Sequence, residues 1–75
     1  MSPEKLVYMA NQIGRFFAHG SEEQAVFNTA DHLKKFWEPR MRKAIVEYVE
    51  GGGAGLQPIV LKAVQSLRSD SPPNA

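Results

Sequence analysis

Apolar residues recur at intervals of three and four along most of this chain, which is the period of a helix face rather than of a strand. In the first segment Leu6, Ala10, Ile13 and Phe17 follow a 4-3-4 spacing, with Met9 and Phe16 on one flank. Ser2, Pro3 and Glu4 mark its start. A hydroxyl is available for the free amides, proline stands where an N–H would lack a partner, and an acid sits at the positive end of the dipole. His19-Gly20 is the expected stop, the glycine being suited to the left-handed position after a helix. Ser21-Glu22-Glu23-Gln24 reads as the capping box of a second helix. Its stripe is Val26, Ala30, Leu33 and Trp37, with Asp31 and Lys35 as a supporting pair four residues apart.

Pro39 interrupts or restarts the pattern, because proline disfavours helical backbone at the preceding Glu38. A third helix is predicted from about Arg40 to Glu50, with Met41, Ala44, Ile45, Tyr48 and Val49 on one side. The run Gly51-Gly52-Gly53-Ala54-Gly55 reads as a C-cap and turn, since each glycine in a helix costs about 1 kcal/mol. Pro58 opens a fourth helix with Val60, Ala63, Val64 and Leu67 inward. No stretch alternates with period two. The expected architecture is all-α, a small compact bundle of three to four short helices. It forms one domain over residues 1–68, followed by a disordered tail over 69–75.

Composition narrows the chemistry. A chain of 75 residues has room for one small core. With no cysteine, the chain can hold no disulfide, thiol nucleophile, thiolate zinc site or iron–sulfur cluster of its own. His19 and His32 are the only histidines and lack metal-ligand spacing. The glycine run lacks the preceding strand and the Gly-Lys-Ser/Thr ending of a phosphate loop. No nucleophile–base pair stands out. No apolar run approaches the ~20 residues of a membrane span, and the N-terminus does not read as a secretory signal. The expectation is a soluble, cytoplasmic chain with no catalytic, cofactor-binding or metal-binding residue.

The net charge of +1 conceals a cluster: Lys34, Lys35, Arg40, Arg42 and Lys43 lie within ten residues, offset only by Glu38. Charge runs are commonly solvated helix faces. Nucleic-acid binding is an alternative, set back by a pI near 8.1. Phe27 and Phe36 fall on nearly opposite flanks of the second helix, and so small a bundle does not easily cover both. Aromatic residues beside arginines are typical interface anchors. Phe36, Trp37, Arg40 and Arg42 are therefore the candidate partner-binding residues. Trp37 also lies on the core stripe, and helices 1 and 3 wrapping helix 2 from both sides would bury Phe36, so both are open to core or interface use.

Four pieces of the chain resemble a known family in order and spacing. They are Lys5-Leu6-Val7-Tyr8-Met9-Ala10-Asn11-Gln12-Ile13 with Phe16-Phe17, then Ala30-Asp31-His32-Leu33, then Phe36-Trp37-Glu38-Pro39-Arg40-Met41-Arg42, and finally Gly52-Gly53-Ala54-Gly55-Leu56-Gln57-Pro58. The family is the delta subunit of soluble, NAD-dependent, molybdenum-containing formate dehydrogenases, and the Phe-Trp-x-Pro-Arg-Met-Arg run is its most specific part. The resemblance implies a complex in which an alpha subunit oxidises formate at bis-molybdopterin guanine dinucleotide. Iron–sulfur clusters, FMN and NAD serve electron transfer through beta and gamma subunits. It implies for this chain a non-catalytic accessory role, binding and stabilising the alpha subunit, with no membrane and no nucleic acid involved. A dissociating chaperone for molybdenum cofactor insertion, and a small nucleic-acid-binding module, are the alternatives.

Overall fold

A computed structural model describes residues 2–70 as four helices: α1 (Pro3–Phe16), α2 (Glu22–Phe36), α3 (Pro39–Glu50) and α4 (Pro58–Asp70). The described residues contain no strand, so the all-α expectation holds, with four helices. The fourth runs through Asp70, two residues past the expected boundary; positions 71–75 of the expected tail lie outside the described residues.

The helices are held together by α4, which packs against each of the other three and most extensively against α2. Its inward row is the predicted one: Val60, Ala63 and Val64 are fully buried and Leu67 nearly so. Leu6 and Ala10 of α1, Ala30 and Leu33 of α2, Trp37, Ile45 of α3 and Leu56 complete the core. Removing such side chains from water is worth roughly 1.5–3 kcal/mol each. The apolar face of α2 is rotated from the predicted stripe. Val26 is only half-buried, whereas Ala25 and Thr29 are fully buried. Small side chains at 25, 29 and 30 suit close packing on α4, and the polar label of Thr29 hides it from a hydrophobic count.

Boundaries follow the caps. Ser2 accepts from the Lys5 N–H and Ser21 from the Gln24 N–H, at 3.3 and 3.1 Å. The Gln24 side chain points to Asn28 instead of returning to Ser21, so only half of the expected capping box forms. The predicted stop of α1 at His19-Gly20 is three residues late. Phe17 is the C-cap, and the Ala18 N–H closes a tighter turn onto the Arg15 carbonyl. Gly20 does have a positive φ of 83°, but it shapes the turn into Ser21. Between α2 and α3, Trp37 and Glu38 are both extended and Pro39 occupies the first turn of α3, as a residue before proline requires.

The glycine run closes α3 in a Schellman arrangement. The Gly53 N–H reaches the Tyr48 carbonyl and the Gly52 N–H the Val49 carbonyl, with Gly52 at a φ of 125°. Asn11 then ties the turn to α1: its Nδ2 donates to the Gly55 carbonyl and its Oδ1 accepts from the Gln57 N–H, both at 3.0 Å. The Tyr48 hydroxyl donates to the Ala54 carbonyl at 2.6 Å.

Gly14, buried in α1, lets α1 cross α4 at close range. A Cβ there would stand 2.5 Å from Cγ2 of Val60. Gly14→Ala gains about 1 kcal/mol of helix propensity, but overpacking costs about 1–3 kcal/mol. The expected outcome is a lower melting temperature for Gly14→Ala despite that gain. Combining it with Val60→Ala should restore part of the loss relative to the sum of the single changes. Thermal melts of the four variants test this; strict additivity would contradict the close crossing.

Candidate docking surface

Four elements of sequence converge at one end of the bundle. α1 contributes Met9, Gln12, Ile13 and Phe16, which follow the i, i+3, i+4, i+7 spacing of a single helix face. Phe17 comes from the α1 C-cap, His32 from the last turns of α2, and Trp37 from the elbow. Together they line an open groove of about 310 Å³.

The rings along it form a continuous row. Phe16 meets Phe17 edge-on at 5.0 Å between centroids, Phe17 meets His32 at 5.9 Å, and His32 meets Phe36 at 4.7 Å. Separations of 4.5–7 Å in tilted or edge-on poses are the favoured aromatic geometries. The two ends of the row are the most exposed large apolar side chains: Phe16 at 73% and Phe36 at 71%. Phe27 and Tyr8 are also exposed, at 65% and 64%, but neither joins the row. Both flanks of α2 thus stay uncovered, as its wheel suggested, and only the Phe36 flank is part of an organised surface. Contiguous apolar exposure of this kind marks contact sites.

The four expected partner-binding residues divide. Phe36 is exposed at the end of the row. Trp37 is 6% exposed and belongs to the core, with one edge on the groove. Arg40 is exposed and makes no hydrogen bond or ion pair with any described residue. Arg42 is half-buried and committed within the chain: Nη1 donates to the Lys34 carbonyl at 2.6 Å and the Trp37 carbonyl at 3.0 Å. These are orphan carbonyls of the α2 C-terminus. A cation that is unfavourable at the start of α3 is favourable there, because it faces the negative end of α2. Arg42 thus has hydrogen-bond partners within its own chain.

Phe16, Phe17 and His32 were missing from the sequence-based site. Phe17 was expected in the core stripe but is half-buried in the row, since α1 ends before it. His32, for which a solvated or half-buried imidazole without a role is the plain sequence reading, is half-buried in the row. The usable signals were the second α1 stripe of Met9, Ile13 and Phe16, and the His32–Phe36 pair at i, i+4.

Among the described residues no three His, Asp or Glu side chains group where they could share an ion. The amides of Gly51, Gly52 and Gly53 are all bonded to carbonyls of α3, so the glycine turn offers them to no phosphate. Among the described residues no helix is long and apolar enough to cross a membrane.

Fold and surface define a small four-helix protein whose distinctive chemistry is an aromatic groove. Compared with protein families, residues 5–64 match NADH-dependent formate dehydrogenase delta subunit FdsD, and the chain belongs to that family. No curated protein and no solved structure matches it.

The two arginines separate in a stability measurement. Arg42→Ala leaves two carbonyls of α2 without their charged donor and is expected to cost about 1.5–3 kcal/mol. Arg40→Ala is expected to stay within about 0.5 kcal/mol of the parent. Chemical denaturation of each variant checks the split; equal losses, or none at Arg42, would contradict the capping role.

Proposed function

We propose that this chain is a non-catalytic subunit of a formate dehydrogenase complex that binds the catalytic alpha subunit through the groove between α1 and α2. The observation that carries the reading is the ring row Phe16–Phe17–His32–Phe36, ordered by its own contacts and exposed at both ends. Aromatic anchors of this kind dominate interface energetics once water is excluded around them. Family membership supports a partner that is another subunit of the same enzyme. Bis-molybdopterin guanine dinucleotide, iron–sulfur clusters, FMN and the NAD site then belong to the alpha, beta and gamma subunits. The mechanism is linkage: a chain that binds only the assembled conformation raises its population in proportion to affinity and concentration. The exposure of the rings in the free chain prepares this, because no core has to open before contact.

Replacing Phe16 and Phe36 by serine removes apolar surface that the fold does not use. The double variant is expected to melt close to the parent, yet to lose about 2 kcal/mol or more of affinity for enzyme stripped of this subunit. Titration calorimetry or surface capture with the stripped enzyme measures it. Unchanged affinity would remove the groove from the interface. Release of the chain from the mature enzyme during purification would favour a transient assembly factor over a permanent subunit.

A further inference from the structure

Resting on the subunit reading, we infer that the groove's occupant is a segment of a protein partner that carries apolar anchor side chains flanked by carboxylates. The argument is charge complementarity. The segments 9–19 and 32–43 supply every residue lining the groove. They contain six of the chain's nine Lys and Arg but only one of its eight Asp and Glu, Glu38. The first turn of α3 lies against this end of the bundle, because the Arg42 guanidinium touches carbonyls of both Lys34 and Trp37. Lys34, Lys35 and Arg42 are already engaged: Lys35 pairs with Asp31 at 3.1 Å, and Arg42 caps α2. Arg15, next to Phe16 in sequence, and Arg40 and Lys43, beyond the Trp37 elbow, are exposed, and their side chains make no hydrogen bond or ion pair with described residues. Uncommitted positive charge thus stands in the segments that carry the groove's lining residues, beside Phe16 in sequence and in the first turns of α3.

This pattern selects among occupants. A second copy of the chain would bring two basic rims together, which disfavours a symmetric dimer through this face. A single-stranded nucleic acid needs ring faces free for stacking. Here the rings are turned onto one another, with 84° between the planes of Phe16 and Phe17 and 58° between those of Phe17 and His32. Met9 and Ile13 make the floor apolar rather than phosphate-binding. An apolar side chain of a partner fills such a groove, and carboxylates on either side of it meet Arg15, Arg40 and Lys43 at the rim. Rim charges act chiefly on the rate of encounter and its salt dependence.

The test uses the full chain and formate dehydrogenase stripped of it. Association is timed at graded salt for the parent, for Arg40→Glu with Lys43→Glu, and for Arg40→Gln with Lys43→Gln, each checked by its melting curve. The expected result is a steep fall in parent rate with salt, and association about tenfold slower for the charge-reversed chain, with the neutral variant between them. A photo-reactive benzoylphenylalanine at position 16 then identifies the contacted segment by mass spectrometry. It is expected to contain several Asp or Glu flanking apolar residues. Equal rates for all three chains, a neutral or basic crosslinked segment, crosslinks to a second copy, or displacement of the chain by a polythymidine strand would each overturn the inference. A parent chain that does not associate at all would instead overturn the subunit reading, and this inference with it.

Discussion

The inward row of α4 is the constraint on which the rest depends. Val60, Ala63, Val64 and Leu67 are removed from water only because α1, α2 and α3 each give up one face to cover them. Among the described residues no further helix covers what those three carry on their other faces. α1 has two apolar stripes, Leu6–Ala10–Gly14 and Met9–Ile13–Phe16, and the core takes the first. The second is left at the rim, where α2 brings His32 and Phe36 beside it. The groove is thus a consequence of how the core is filled, not an addition to it.

Two polar devices keep that geometry in place. Asn11 holds the glycine turn against α1 and Tyr48 holds it against α3, which together set where α4 begins. Arg42 fastens the end of α2 to the start of α3 and so fixes the elbow that carries Phe36 and Trp37. Each uses backbone carbonyls that helix or turn geometry leaves without partners, where a side-chain donor contributes more than on an open surface. Between helices, Lys62–Glu22 and Arg68–Glu50 add exposed ion pairs of small value.

Much of this was legible in the residues. Helix periodicity, Ser2 and Ser21 as caps, Pro39 and Pro58 as starts and the glycine run as a stop locate all four helices to within a few residues. The inward face of α4 was readable outright, because all four of its apolar positions are strongly periodic. The rotation of α2 was not, since Thr29 buries like an apolar residue while counting as polar. Within the site, Phe36 stood out because a wheel leaves it uncovered. The internal bonds of Arg42 were not legible, because the carbonyls it reaches lie at the end of a different helix and nothing local to α3 reveals that. Phe17 was hidden by the late placement of the α1 stop: once that helix ends at Phe16, Phe17 leaves the core stripe and stands half-buried in the ring row beside Phe16, which the periodicity puts on a flank.

The central claim is that the aromatic end of the bundle is the face that meets the rest of the enzyme. Amide hydrogen exchange on the chain, free and within the assembled formate dehydrogenase, tests it directly. The account predicts new protection concentrated in residues 9–17 and 32–43 on assembly, with the solvent-facing positions of α4 unchanged. Protection confined to α4 and the glycine turn, with residues 9–17 and 32–43 exchanging as in the free chain, would contradict it.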